Sequence, residues 1–212
     1  MKDNLWATFS ELQMFTVCQL ADALGPTCTI ETALHPIDPE SRICGSVLTV
    51  ECSPGDNLSV HQALHLAKPG DVLIVSSPRN GEPALWGELM TISAQSKGLR
   101  GTVIDGSIRD PLEIRKLGYP VFCREFNPRR AAKEKCGHLN VPVHVGMLSV
   151  NPGDILVADV NGIISIPRHM VHHTISLVSE VALKEEQIKE QILSGRSIFD
   201  ILELGSCILP SD

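Results

Sequence analysis

Aromatic residues and a surplus of positive charge are both scarce in this sequence. Phe, Trp and Tyr make up 4% of the 212 residues, and 18 Lys and Arg stand against 25 Asp and Glu, which leaves a net charge of −7. A surface that binds nucleic acid needs cations for the phosphates and aromatic rings on which bases can stack. We therefore expect no nucleic-acid partner.

Long apolar runs and paired cysteines are absent as well. No segment approaches the roughly 18 consecutive apolar residues of a membrane span. The N-terminal MKDNLWATFSELQ has polar and charged residues where a signal peptide has its apolar core. The seven cysteines include no C-x-x-C pair, so neither a disulfide framework nor a zinc site is expected. These absences favour a cytoplasmic protein without membrane contact.

Helical and strand-like segments alternate along the chain. Helices are predicted for SELQMFTVCQLADALG (Ser10 as N-cap, Gly25 at the end), DNLSVHQALHLAKPG, ALWGELMTISAQSKG and PLEIRKLG. Strands are predicted for ICGSVLTVEC, DVLIVSS, GTVIDG, VPVHVGMLSV and NGIISIP. A chain of 212 residues suits one domain, and the alternation predicts an α/β fold around a single core.

A Pro-Gly-Asp turn occurs twice, in KPGDVLIV (68–75) and NPGDILVA (151–158). Each copy precedes an apolar run that is typical of a buried strand. The repetition indicates that the fold needs the same corner twice, and an internal duplication is the alternative.

The last segment, 171–212, has a different pattern. Apolar residues from Val171 to Ile192 recur at helical spacing among Glu and Lys, Gly195 follows them, and SIFDILEL predicts one more turn. Such a tail helix either packs on its own sheet or contacts a neighbouring subunit. We favour the contact with a neighbour.

Two charged residues of opposite sign, Arg109 and Asp110, follow directly after a predicted buried strand. We expect Asp105 and Gly106 to end that strand in a turn that permits left-handed backbone angles. Ligands of α/β proteins usually bind in loops at strand ends. An Asp there can hold a hard divalent cation with water as the other ligands, and an Arg offers a planar fork to an oxyanion. A plain surface ion pair is the alternative.

The wider frame of this pair resembles a known family. Twenty residues separate Glu88 from Arg109-Asp110, within a pattern similar to "WGE…A…G..G.V.DG..RD". Further matching motifs are DALG (22–25), LGYPVF (117–122), NVPV (140–143) and PGDILVADVNGIISIP (152–167). In this order the motifs resemble the RraA-like proteins and the 4-hydroxy-4-methyl-2-oxoglutarate aldolases, roughly from residue 20 to residue 170.

The resemblance implies a fold and an assembly. The fold is a layered β/β/α, swivelling-domain-like core, in a single RraA-like domain across 1–212 with 171–212 as a C-terminal helical tail. The assembly is a homotrimer or homohexamer with active sites between subunits.

The resemblance also implies a reaction. The expected enzyme is a lyase, a class II pyruvate aldolase that cleaves 4-hydroxy-2-oxo acids and decarboxylates oxaloacetate as a side activity. Asp110 is expected to anchor Mg²⁺, Mn²⁺ or another divalent metal that chelates the 2-oxo acid. Arg109 is expected to stabilise the pyruvate enolate, and Glu88 to orient the water that protonates it. The substrate carboxylate is expected to meet the N–H groups of Gly87, Glu88, Leu89 and Met90.

Position 88 departs from the family pattern, since many members have Asp where this chain has Glu88. The added methylene moves the carboxylate by about one C–C bond, and a shift near 1 Å can cost about 100-fold in rate. The water-orienting role is the one that this departure affects.

A binding protein is the main alternative to an enzyme, because some RraA-like proteins bind and inhibit ribonuclease E without significant catalysis. The set of Glu88, Arg109 and Asp110 favours the enzyme, since a protein-binding surface does not require it. A methyltransferase has no support, because no glycine-rich turn follows the first strand.

Other titratable residues suit structural or surface roles better than catalytic ones. His61 and His65 have helical spacing but lack an E-x-x-H context for zinc. No oxyanion loop can be assigned to Cys136 and His138, so a Cys nucleophile is not expected. A solvated helix end accounts for His169, His172 and His173. Lys68 and Lys97 have polar neighbours, which do not lower a lysine pKa as a Schiff-base lysine requires. The partner of a second substrate carboxylate stays open among Arg79, Arg124, Arg129 and Arg130.

Overall fold

The computed structural model of the chain describes residues 2–25, 29–30, 34–77, 83–146 and 148–207. The α-helices are Lys2–Leu12 (α1), Val17–Leu24 (α2), Leu58–Leu66 (α3), Glu88–Ser96 (α4), Pro111–Leu117 (α5), Val171–Leu193 (α6) and Ile198–Ile201 (α7). The strands are Thr29–Ile30 (β1), His35–Pro36 (β2), Ile43–Glu51 (β3), Asp71–Ser76 (β4), Gly101–Ile108 (β5), Val121–Phe126 (β6), His138–Leu139 (β7), Val143–Val145 (β8), Leu148–Val150 (β9), Ile155–Asp159 (β10) and Gly162–Ile166 (β11). No helix in these ranges has the length and apolar character that crossing a bilayer requires.

One mixed sheet forms the centre of the fold. Its strand order in the described part of the chain is β1-β11-β10-β3-β4-β5-β6-β2, and β7 also pairs with β3. Strands β3, β4, β5 and β6 are parallel, whereas β10, β11, β1 and β2 pair antiparallel to their neighbours. Helices α3, α4 and α5 connect successive parallel strands, as parallel pairing requires. The carboxyl ends of these strands therefore meet at one edge.

Three apolar clusters hold the layers together. The first lies between the sheet and helices α3, α4 and α5, which contribute Ala63, Ala94 and Ile114. The second lies under the β8–β9 hairpin, a separate two-stranded layer. The third joins the sheet to α1, α2 and α6. The layered β/β/α core with a C-terminal helical extension is thus confirmed, because hairpin, sheet and helices stack in that order.

The N-terminal helix prediction was wrong in one respect. The segment forms two helices, and Ser10 lies inside α1, where its hydroxyl donates to the carbonyl of Trp6. Thr16 is the true N-cap of α2: its Oγ1 accepts from the N–H of Gln19, and the Gln19 side chain accepts from the N–H of Thr16. This reciprocal capping box begins a new helix where the apolar pattern alone runs through. Gly25 ends α2 as predicted.

The two Pro-Gly-Asp turns form the same corner. In each, the Asp side chain accepts from the N–H three residues earlier, Asp71 from Lys68 at 2.8 Å and Asp154 from Asn151 at 3.0 Å. The strands that follow, β4 and β10, flank β3 on its two sides. One pairs parallel and the other antiparallel, so the repeated turn begins two differently oriented strands.

The tail helix α6 contacts its own domain through its first half. Val171 and Val178 are buried against α2 and the sheet, and Gln19 of α2 donates to Glu185 at 2.7 Å. Farther along, Leu183 and Leu193 are exposed. The tail therefore packs on its own sheet first, and only its second half is available for a neighbouring subunit. The predicted last turn is α7.

Candidate functional site

A cleft of about 240 Å³ opens beside the start of α4. Its walls come from α3, the first turn of α4, Arg109 and the segment 130–133. Five of the six residues predicted for the site line it: Gly87, Glu88, Leu89, Met90 and Arg109. The sixth, Asp110, lies against Gly87 at the edge of the cleft.

The start of α4 is set by an extended segment that the sequence did not predict. The predicted helix covered residues 84–98, but Leu85 donates its N–H to Ser107 at 2.9 Å, and Arg109 donates to Trp86 at 3.0 Å. Trp86 thereby forms a single parallel β-bridge with Ile108 at the end of β5. The helix begins only at Glu88, so its first turn lies next to the residues that follow β5.

Strand β5 also continues farther than predicted. Asp105 and Gly106 lie inside it, at an irregularity in the pairing with β6, and not in a terminal turn. The buried Asp105 carboxylate is ion-paired with Arg124 and accepts from the N–H of Gly146 at 3.3 Å. These contacts commit Asp105 and Arg124 to structural roles.

Left-handed backbone geometry occurs at Asp110, with φ 59° and ψ 43°. Such angles are sparsely populated outside glycine, although Asp and Asn tolerate them best. Pro111 follows at the first position of α5 and prevents the chain from continuing β5. The strained residue turns its carboxylate back toward the start of α4.

The charged pair and the helix start converge on one oxygen. Asp110 Oδ2 lies 3.3 Å from Arg109 Nε and accepts from the N–H of Glu88 at 3.3 Å. The side chains of Arg109 and Asp110 are 36% and 35% exposed. The first N–H groups of a helix have no partner within the helix, so those of Leu89 and Met90, which line the cleft, suit an anion there.

Gly87 makes this convergence sterically feasible. A Cβ at position 87 would lie 2.9 Å from Asp110 Oδ2 and 3.1 Å from Arg109 Cγ. Its φ of −169° is ordinary extended backbone, so close approach, and not the backbone angle, requires the glycine. Any larger residue would push the charged pair away from the helix start.

The single carboxylate of Asp110 suits a cation that keeps most of its water ligands. The described residues contain no group of three or more His, Cys, Asp or Glu side chains that could share a metal ion. A cation at Asp110 would therefore take its other ligands from water and substrate, as Mg²⁺ readily does. The Arg109 and Glu88 contacts both involve Oδ2, which leaves Oδ1 for a ligand bond. The residues present fit a hydrated divalent metal with one protein carboxylate.

Asn57, the N-cap of α3, and His61 in its first turn belong to the cleft although the sequence did not single them out as site residues. Asn57 and His61 line it, and the buried Asn57 Oδ1 and His61 Nε2 have no hydrogen-bond partner within the described ranges. Burial, and then the nearby charge of Lys133, lower the pKa of His61. Spacing on the helix predicted that His61 and His65 are partly exposed, and the structure confirms it: His61 is half-buried and His65 is exposed. Only the fold places His61 in the same cleft as Glu88.

The segment 130–133 provides cations to the cleft. Asp56 Oδ2 accepts from the N–H groups of Glu134 at 2.7 Å and Lys135 at 2.9 Å. Burial acts to raise the pKa of Asp56, but backbone hydrogen bonds from Glu134, Leu58 and Lys135 lower it overall. This anchoring holds the segment 130–133, with Arg130 and Lys133, along the rim.

Of the remaining candidates, one arginine lines the cleft. Among the arginines considered for a second carboxylate, Arg130 lines the cleft, Arg124 pairs with Asp105, and Arg79 is outside the described residues. Lys97 donates to the carbonyl of His65. The other candidates are exposed and are not among the residues that line the cleft: Lys68, Arg129, Cys136, His138, His169, His172 and His173.

Comparison with known proteins identifies the family. The family model for RraA-like proteins, described as Aldolase/RraA, matches residues 17–165. The chain belongs to the RraA-like family. That match contains every residue predicted for the site.

Relatives of this RraA-like chain carry different names. A protein of Halalkalibacterium halodurans with the provisional name 4-hydroxy-4-methyl-2-oxoglutarate aldolase is 28% identical over 87% of this chain and 90% of its own length. An uncharacterized protein of Methanocaldococcus jannaschii is 33% identical over 91% of this chain and 92% of its own. The solved structure of RraAS2 from Streptomyces coelicolor, described as an unusual member of the RNase ES inhibitor RraA family, is 25% identical, with a TM-score of 0.75 over 87% of this chain and 94% of its own.

Proposed function

We propose that this RraA-like chain is a divalent-metal-dependent lyase that cleaves 4-hydroxy-2-oxo acids to pyruvate and a second carbonyl compound. The observation that carries the proposal is the convergence of Arg109, Asp110 and the first turn of α4 beside one cleft. The provisional aldolase names of relatives support it. The substrate class we propose includes 4-hydroxy-4-methyl-2-oxoglutarate.

Substrate binding begins with the carboxylate next to the 2-oxo group. The N–H groups at the start of α4 donate to it, and the helix dipole favours the negative charge. Asp110 would hold Mg²⁺ or Mn²⁺, and the bound metal would supply a Lewis acid for the oxygens of the 2-oxo acid. A substrate whose carboxylate is bound at the start of α4 directs its C2 oxygen toward Arg109.

Arg109 acts where charge develops. As the C3–C4 bond breaks, electron density moves to the C2 oxygen and forms the enolate of pyruvate. The guanidinium donates to that oxygen, and one such preorganised donor commonly contributes about 3–4 kcal/mol. Glu88 lines the same cleft and orients the water that protonates C3. Decarboxylation of oxaloacetate passes through the same enolate, so it is an expected side activity.

Exchange of the pyruvate methyl protons tests this function without knowledge of the natural substrate. In D₂O with Mg²⁺, the protein should accelerate loss of the methyl signal in the NMR spectrum, because the site that stabilises the enolate also forms it from pyruvate. Asp110→Asn should lose metal binding and exchange together. EDTA should abolish exchange, and borohydride with pyruvate should leave every lysine unmodified.

Asp38→Asn is the matched control. Asp38 is 32% exposed and pairs with Arg115 at 3.7 Å, a setting close to that of Asp110 but remote from the cleft. This variant should exchange pyruvate protons at the wild-type rate. Wild-type protein that binds Mg²⁺ and pyruvate without exchange above background would contradict the proposed function.

A second candidate function is binding to a ribonuclease. The structural similarity to RraAS2 and to the RNA-processing inhibitor RraA of Thermus thermophilis favours it. A regulator of this kind would form a complex with ribonuclease E that survives Asp110→Asn, since no catalysis is involved. Ribonuclease inhibition together with absent proton exchange would decide for this alternative.

A further inference from the structure

A basic segment contributes to the wall of the cleft. Residues 129–135, RRAAKEK, carry four Lys and Arg against one Glu, in a chain whose net charge is −7. Arg130 and Lys133 line the cleft, and neither forms an ion pair within the described part of the chain. The cleft therefore offers two cations in addition to Arg109.

These two cations exceed what the pyruvate half of the substrate needs. That half has one carboxylate and one developing oxyanion, which the proposed function assigns to the start of α4, to Asp110 with its metal and to Arg109. With Arg130 and Lys133, the cations of the lining outnumber its one carboxylate, Glu88. A cleft lined mainly by one sign of charge concentrates ligands of the opposite sign, so the two cations suit a second carboxylate on the same ligand.

The position of the basic segment depends on one buried carboxylate. Asp56 is 2% exposed, and its Oδ2 accepts from the N–H groups of Glu134 at 2.7 Å and Lys135 at 2.9 Å. Its Oδ1 accepts from the N–H of Leu58, the first residue of α3, at 2.8 Å. Asp56 therefore joins the end of the basic segment to the start of α3.

Backbone hydrogen bonds beside Asp56 strengthen the same connection. Asn57 donates its N–H to the carbonyl of Ala132 at 3.0 Å, and Ala132 donates to the carbonyl of Gly55 at 2.9 Å. Burial acts to raise the pKa of Asp56, but its backbone hydrogen bonds lower the pKa overall, so the carboxylate is charged at neutral pH. Hydrogen bonds to a charged acceptor are stronger than those to a neutral one, and this makes Asp56 the main anchor of the segment.

Resting on the proposed function, we propose that Asp56 is a positioning residue that holds the basic segment so that Arg130 and Lys133 bind a second carboxylate of the substrate. The preferred substrates are then 2-oxo dicarboxylic acids. Asp56 is not among the residues that line the cleft, so it acts through the two cations and not on the ligand itself. Its hydrogen bonds involve neither Arg109 nor Asp110, so formation of the enolate does not depend on it.

Binding of two acids of equal chain length tests the proposal. 2-Oxoglutarate and 2-oxopentanoate share the 2-oxo acid end, and only 2-oxoglutarate has a second carboxylate. In isothermal titration with Mg²⁺, the wild type should bind 2-oxoglutarate about 10-fold more tightly, the effect of one hydrogen bond to a charged group. Asp56→Asn should lose this preference, while its pyruvate proton exchange at saturating pyruvate should stay at the wild-type rate.

Asp154→Asn is the matched control for the carboxylate. Asp154 is also buried and accepts from a backbone N–H, but at the corner before β10, so its variant should keep the preference. The cations have a matched pair of their own. Arg130→Gln combined with Lys133→Gln should lose the preference, whereas Arg129→Gln combined with Lys135→Gln should keep it, because those two side chains are exposed and do not line the cleft.

A double-mutant cycle separates positioning from a general loss of structure. Asp56→Asn added to Arg130→Gln and Lys133→Gln should cause no further loss of affinity for 2-oxoglutarate, because Asp56 acts through those side chains. An additive loss would overturn the proposal, as would a wild type without the preference or an Asp56→Asn variant that keeps it.

The cation variants decide the outcome if Asp56→Asn does not fold. Retention of the preference in Arg130→Gln with Lys133→Gln would then overturn the proposal, and its loss would support it. Absence of pyruvate proton exchange in the wild type would contradict the proposed function instead, because the binding preference is measured without catalysis.

Discussion

Arg109 offers the sharpest test at the level of single residues, because its contribution depends on shape as well as charge. Its Nε lies 3.3 Å from Asp110 Oδ2, and a planar guanidinium can donate to that oxygen and to a developing enolate together. Arg109→Lys keeps the charge but loses the fork. We expect Mg²⁺ binding to persist while pyruvate proton exchange slows by about 100-fold.

The comparison variant is Arg115→Lys, which alters an arginine paired with Asp38 at 3.7 Å outside the cleft. Isothermal titration with Mg²⁺ and NMR exchange rates provide the two measurements. Unchanged exchange in Arg109→Lys would mean that charge alone suffices at this position.

Gly87 carries a steric prediction. An alanine Cβ would lie 2.9 Å from Asp110 Oδ2, so the charged pair must move, and a displacement near 1 Å commonly costs about 100-fold in rate. Gly87→Ala should lose exchange to about that extent while its thermal unfolding stays close to wild type. Gly106→Ala is the control, because its Cβ would meet Leu85 Cδ1 at an ordinary 3.4 Å. Full activity in Gly87→Ala would contradict the proposed geometry.

At the level of elements, Ser10 and Thr16 are the two residues proposed as the helix N-cap in the N-terminal region. The apolar pattern suggested Ser10 as a cap, but Thr16 and Gln19 form the capping box that begins α2. Loss of an N-cap hydroxyl typically costs about 1 kcal/mol, which lowers the melting temperature of a chain of this size by roughly 2–4 °C. Thr16→Ala should show that decrease in calorimetry, and Ser10→Ala should not.

A second lesson at this level concerns the segment before α4. Its residues have helical propensity and its pattern predicted a helix from position 84, yet Leu85 and Trp86 pair with the end of β5. Local sequence could not anticipate this, because the hydrogen-bond partners lie more than 20 residues away along the chain. The pairing brings the start of α4 to Arg109 and thereby forms the site.

For the whole molecule, assembly is the open prediction. The second half of α6 exposes Leu193 at 87%, and a homotrimer or homohexamer would cover such apolar surface. Light scattering should give three or six times the mass of one chain. If the tail provides the contact, Leu193→Glu should lower that mass, whereas Leu66→Glu, at an exposed position of α3, should not. A wild-type monomer at micromolar concentration would contradict the assembly.

The sequence by itself predicted the fold class, most strand positions and six residues that the structure brings together at one cleft. Apolar runs mark buried strands such as β5 because parallel strands are covered on both faces. The motif around Arg109 and Asp110 marks the site because those residues are contiguous in the chain. Patterns of this kind involve residues that are close in the sequence, so they can be recognised without knowing which elements pack together.

Only the tertiary structure decided which distant residues complete the candidate site. His61 lies 27 positions before Glu88 in the sequence, and the fold brings both residues to the same cleft. The extended pairing of Trp86 and the steric need for Gly87 likewise depend on contacts between distant segments. A sequence pattern records which residues are apolar or charged, whereas burial without a partner, which singles out Asn57 and His61, exists only once the chain has folded.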